Sequence, residues 1–151
     1  MGGDSLSHRI YRILRARAST GALQIPPPSL EEMKTEFVAF DEAARSLAAR
    51  FPVEARYQNP LGYMQGGFLV AAIDNTLGPL SYLVAPPSVT LQMSTQFLRP
   101  VAAETKYIVV HGRVDEMTKS YLFMSARVLD PRDRVVAIAQ ATAQILPPRQ
   151  G

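Results

Sequence analysis

The sequence predicts an α+β fold in which an antiparallel sheet wraps around one long central helix. Three observations carry this. Residues Phe68 to Leu77 are apolar all round except near the far end, and a helix without a polar face must be buried on every side. From Ser88 onward the hydrophobic period changes to two, giving four strands in succession that pair most simply as antiparallel neighbours. The chain has 151 residues, 47% hydrophobic and 19% charged, which is one domain with one real core. Such a sheet needs an apolar layer to cover, and the helix supplies it.

The elements follow in order. Residues 5–18 read as an amphipathic helix, with Ile10, Ile13 and Leu14 on one face and Arg9, Arg12, Arg15 and Arg17 on the wet one. Thr20-Gly21 breaks it. Pro26-Pro27-Pro28 is a stiff extended spacer, and too little chain precedes it to fold alone. Residues 1–28 are thus an N-terminal helix and spacer, and residues 29–151 form the single domain. Ser29-Leu30-Glu31-Glu32 has the form of a capping box. The helix it predicts carries Leu30, Met33, Phe37, Phe40, Ala44 and Leu47 as a core-facing stripe. Arg50 to Tyr57 suits a first strand, and the loop 58–65 leads through Gly66-Gly67 into the apolar helix. Gly78-Pro79 should kink or end that helix, because proline lacks the N–H and crowds the preceding turn. The strands then cover 88–97, 105–116, 119–129 and 134–146, with Asp130-Pro131-Arg132-Asp133 as a type I turn before the last. On the last strand Ala137, Ala139, Ala141 and Ala143 share a face small enough for a helix to approach.

Composition removes several functions. There is no cysteine, hence no disulfide, thiolate metal site or cysteine nucleophile, and two histidines, His8 and His111, make no zinc cluster. No apolar run is expected to reach membrane-spanning length, and the N-terminus lacks a signal peptide's apolar core, so a soluble, cytoplasmic protein is expected. The net charge is +3 and the pI near 9.4, with thirteen of the sixteen cations arginine. The arginine-rich start has the composition of a transit peptide or an anionic-surface contact, but a solvated helix face accounts for it equally. No nucleic-acid or membrane motif accompanies it. Met1-Gly2 opens like a myristoylation signal, but Leu6 stands where serine or threonine is needed.

The stretch Asn59-Pro-Leu-Gly62-Tyr-Met-Gln65-Gly66-Gly67, with Asp74 nine positions after Gln65, resembles the hotdog-fold acyl-CoA thioesterases of the PaaI-like type. Their pattern is N-x-x-G-x-x-H-G-G followed by a helical acid at that spacing. Thr90, Phe97-Leu98-Arg99-Pro100-Val101, Gly112-Arg113-Val114 and Val135 to Ala139 extend the likeness over about residues 35–146. The resemblance implies a hotdog fold and hydrolysis of an acyl-CoA to a carboxylate and coenzyme A, without a cofactor. It also implies a homodimer or dimer of dimers whose sites use two subunits.

Asp74 is the strongest chemical signal, since an ionised carboxylate in an apolar helix must be paired or reach a cleft. General base and nucleophile roles both stay open for it. Gly66-Gly67 stand where free N–H groups and the helix dipole suit an oxyanion. The resemblance has the Gly66 N–H and the Asn59 side chain hold the thioester carbonyl. Gln65 replaces the family's usual histidine. It hydrogen-bonds but does not titrate near neutral pH, which leaves a non-catalytic acyl-CoA-binding module as the alternative function. Thr90 is placed to hold the attacking water, Tyr63 and Met64 to line an acyl pocket, and Arg99, Arg113 and Lys119 to meet the phosphates of coenzyme A. His111 reads as a packing or edge residue.

Overall fold

The apolar stretch beginning at Gly66 forms one unbroken helix to Val84, and the other elements are arranged about it. The computed structural model describes residues 4–18 and 23–147. They form α1 (Leu6–Arg17), α2 (Pro28–Glu32), β1 (Glu36–Asp41), β2 (Ser46–Pro52), a 3-10 turn (Ala55–Tyr57), α3 (Gly66–Val84), β3 (Ser88–Phe97), a second 3-10 turn (Ala103–Thr105), β4 (Tyr107–Met117), β5 (Tyr121–Leu129) and β6 (Val135–Ile145). All six strands pair antiparallel in one sheet, in the order β1-β2-β4-β5-β6-β3. The inner face of the sheet packs on α3, which meets β2, β3, β4 and β5. This is the α+β hotdog fold. Strands β1 and β3 are its free edges.

Where the sequence pattern is strictly periodic, expectation and structure agree closely. The amphipathic helix becomes α1, which buries Ile10 and Leu14, and β3 to β6 follow the four alternating runs. The four alanines of β6 are all buried. At Gly112 of β4 the helix also comes close to the sheet, since a Cβ there would sit 2.8 Å from Leu77 Cδ2. The Thr20-Gly21 break and the Met1-Gly2 start lie outside the described residues.

Residues 29–47 do not form the expected long helix. Only Pro28–Glu32 is helical, with Pro27 as the capping residue and proline at the first helical position, so the Ser29 capping box is not used. Lys34 then takes φ 50°, which an α-helix cannot contain, and the chain continues as the β1–β2 hairpin. The apparent helical spacing has a different origin: Phe40 and Leu47 are cross-strand partners. Asp41 Oδ1 accepts the Ala44 N–H at 2.9 Å to turn the hairpin, and Arg45, at φ 50°, completes it. Consequently the strand expected over 50–57 is shifted to Ser46–Pro52, and Ala55–Tyr57 is a single 3-10 turn.

Helix α3 departs from expectation twice. It runs through Gly78-Pro79 to Val84, because Leu77, Leu80 and Leu83 are all anchored in the core on either side of the proline. At 19 residues it is therefore long and apolar enough to cross a membrane, contrary to the expectation that no run reaches that length, yet here it fills the sheet's concave face. Nor is it buried on every side. Gly67 and Asp74 are exposed, Ala71 and Gly78 are half-buried, and they form one stripe at three- and four-residue spacing.

Candidate active site

The site is organised by the loop that feeds α3. Asn59 folds this loop upon itself: its Oδ1 accepts the N–H groups of Leu61 (2.9 Å) and Tyr63 (3.1 Å), and its own N–H donates to the Tyr63 carbonyl at 2.7 Å. The side-chain amide therefore has its oxygen engaged, and its Nδ2 makes no hydrogen bond among the described residues. Two backbone ties hold the loop to the body: the Met64 N–H donates to the Val101 carbonyl (2.8 Å) and the Gln65 N–H to the Tyr57 carbonyl (2.8 Å). The Tyr57 ring, almost fully buried, packs on Phe68 with centroids 4.4 Å apart.

Gln65 is the N-cap of α3, in extended conformation, and its side chain makes no capping hydrogen bond. The first-turn N–H groups at Gly66 and Gly67 are thus left without a side-chain acceptor, at the positive end of a 19-residue helix. Two turns on, Asp74 is exposed on the same side of α3. Its Oδ1 accepts a hydrogen bond from Thr90 Oγ1 of β3 at 3.3 Å, so helix and edge strand together aim the carboxylate.

The candidate residues therefore fall into two clusters. Asn59, Tyr63, Gln65, Gly66, Gly67 and Arg99 gather where α3 begins and β3 ends, while Asp74, Thr90 and Lys119 lie where β3 begins. Eight residues of helix separate Gly66 from Asp74 by about 12 Å. Along β3, Thr90 and Phe97 are about 23 Å apart. Within one chain the two clusters do not meet.

A family model matches residues 61–137 and describes the thioesterase superfamily. The chain belongs to the thioesterase superfamily. None of the curated proteins matches it in sequence. Among solved structures, PaaI of Escherichia coli, from the phenylacetic acid degradation operon, is similar at TM-score 0.78 and 17% identity, covering 95% of this chain and 97% of that one. A phenylacetic acid degradation-related protein of Ralstonia eutropha is similar at TM-score 0.77 and 24% identity, with 90% and 98% covered. A Streptococcus mutans protein bound to acetyl-CoA is similar at TM-score 0.71 and 18% identity, with 87% and 98% covered. The superfamily fold is thereby shared by this chain over most of its length.

The remaining candidates of this thioesterase superfamily member separate by burial. Tyr63 is 37% exposed at the loop, whereas Met64 is 4% exposed and packs in the main core. Arg99 spends one guanidinium N–H on the Val135 carbonyl, and Arg113 pairs with Asp115 on the outer face of the sheet. His111 is exposed on the central strand β4, so it is neither a packing nor an edge residue. Two features beside the site were not foreseen. Arg56 binds the carboxylates of Glu32 and Glu54 and lies 5.1 Å from the Tyr57 ring centroid, which ties α2 to the segment entering the loop. Hydrogen bonds from Lys34 and then Arg56 hold the Glu54 carboxyl below its ordinary range. The other feature is the ring of Phe97, which lies against Gly66. Four charges scattered over 25 residues and a phenylalanine in a strand carry no functional signal in sequence.

Proposed function

We propose that this protein hydrolyses an acyl-CoA thioester to a free carboxylate and coenzyme A, as a cytoplasmic homodimer or dimer of dimers with sites shared between subunits. The observation that carries the reading is an uncapped helix N-terminus and an exposed carboxylate on one stripe of α3, with the carboxylate held by Thr90. A two-fold axis beside β3 sets two such helices antiparallel, and each Asp74 then faces the partner subunit's Gly66. Support comes from the open space beside Gly67 and Gly78, which admits a second helix, and from the exposed Val89 and Leu91 on the free edge strand.

In this arrangement the thioester oxygen accepts hydrogen bonds from the Gly66 N–H and the Asn59 Nδ2, where negative charge develops as the carbonyl carbon becomes tetrahedral. Asp74, oriented by Thr90, takes a proton from water as the water oxygen attacks that carbon, or attacks it itself to form an anhydride that water then opens. Either way the C–S bond breaks, the sulfur leaves with the bond's electron pair and is protonated. Gln65 holds the loop through its backbone N–H, bonded to the Tyr57 carbonyl, Gly67 and Tyr63 border the acyl group, and Arg99 and Lys119 reach the coenzyme's phosphates from opposite subunits. A binding module is the second reading. Gln65 favours it, since the position cannot titrate.

Thiol release from a panel of acyl-CoAs, followed with a thiol-reactive dye, separates the two readings. Hydrolysis is expected, with Asp74→Asn lowering kcat by at least about 100-fold while KM changes little. Saturable binding without thiol release establishes the binding module instead, and near-full kcat in the variant removes Asp74 from the mechanism.

A further inference from the structure

Phe97 is the last residue of β3, and its ring crowds the start of α3. A Cβ built on Gly66 would lie 2.9 Å from Phe97 Cζ and 3.2 and 3.3 Å from its two Cε atoms, so the ring points tip-first at the Gly66 α-carbon. That tip occupies the space into which any side chain at position 66 would grow. The ring is nevertheless 52% exposed, which leaves one flank bare. Its base is fixed. Phe97 pairs with the fully buried Ala137, the Leu98 and Arg99 N–H groups both donate to the Val136 carbonyl (2.8 and 3.2 Å), and the Arg99 guanidinium donates to the Val135 carbonyl. A half-exposed aromatic ring held this firmly beside a helix N-terminus is placed to touch whatever the N-terminus binds.

We infer that the Phe97 ring limits the bulk an acyl group can carry next to the thioester carbon, which makes Phe97 a specificity-determining residue. The inference rests on the hydrolase reading above, in which the Gly66 N–H holds the thioester oxygen. An oxygen held about 2.9 Å from that nitrogen sets the first carbons of the acyl chain beside the ring tip. The ring is apolar, and so are its exposed neighbours Leu98 and Phe68. The apolar portion of the substrate is the acyl chain, whereas the coenzyme is polar along its length. A straight chain slides past a flat ring, while a branch at the carbon next to the carbonyl meets it. One methyl group in such a contact is enough to discriminate by about tenfold or more.

Butyryl-CoA and isobutyryl-CoA have the same atoms and the same leaving group, so the ratio of their kcat/KM values reads shape alone. Wild type is expected to favour butyryl-CoA. Phe97→Ala should move the ratio toward isobutyryl-CoA by about tenfold or more, with Phe97→Leu between the two. As the ring is half exposed, neither variant should unfold the protein, and a melting curve checks this. A uniform loss on both substrates with an unchanged ratio overturns the inference, because the ring then acts on the shared coenzyme or on packing only. If wild type releases no thiol, the hydrolase reading falls by itself, and calorimetric Kd values for the same two thioesters carry the ratio test. A Kd ratio shifted by Phe97→Ala still supports the assignment. An unshifted ratio, or no binding of either thioester, overturns it.

Discussion

Substituting Asp74→Ala in one preparation and Asn59→Asp in another removes a member of one cluster from each. Both changes spare the fold on structural grounds. Asp74 is exposed, so its loss should change stability by no more than about 0.5 kcal/mol. Aspartate at position 59 retains an oxygen for the Leu61 and Tyr63 N–H groups and replaces the Nδ2 donor by a negatively charged oxygen, which opposes an oxyanion there. Each pure variant is expected to retain about 1% of activity or less. The separation of about 12 Å between Gly66 and Asp74 along α3 demands that a working site draw one cluster from each subunit. When the two variants exchange subunits at equal concentration, about half of the dimers are hybrids, and each hybrid has one intact and one doubly damaged site, restoring about 25% of wild-type activity. Thiol release measures the recovery, and native mass spectrometry of differently tagged subunits confirms that hybrids formed. Hybrids that form and remain inactive refute the shared-site reasoning, as does a stable monomer with full activity.

Two further expectations follow from single side chains. Asp130 Oδ1 accepts the N–H groups of Arg132 and Arg134, and its Oδ2 accepts the Arg134 guanidinium at 2.8 Å. Burial alone would raise this carboxyl, but those Arg134 and Arg132 bonds outweigh it and hold it below the ordinary value. A depressed folded value adds stability that is fully present above the unfolded pKa of about 3.9 and is lost as pH falls through the folded value. Asp130→Asn should therefore cost about 1–3 kcal/mol at neutral pH, with its melting temperature converging on wild type in acid; a constant gap at every pH would contradict this. Gln65→His should leave fold and activity intact, because the Gln65 side chain is exposed and makes no capping bond. Comparison of kcat/KM on the best substrate checks it, and a strong loss with an unchanged melting curve would give glutamine a role of its own.

The sequence by itself determined the elements whose hydrophobic period is sustained: α1, α3 and the four strands from β3 to β6. Over ten or so residues a sustained period narrows the choice sharply, although a helical spacing alone does not exclude a hairpin. Its loop pattern also singled out Asn59, Gly66-Gly67 and Asp74 as candidates, which the fold places in two clusters, with Asp74 apart from the others. Residues 29–47 misled because a helical spacing and a hairpin path can bury the same side chains. Phe40 and Leu47 fit one face of a helix, yet only pairing of β2 between β1 and β4 shows that they meet across a turn. The extension of α3 through Pro79 was equally hidden, since the leucines that hold both halves belong to a core assembled from distant strands. So was the ring of Phe97 over Gly66, two residues 31 positions apart. Local propensity acts within a few residues along the chain. The free energy that overrules it comes from burial against segments far away in sequence, which only the folded chain brings together.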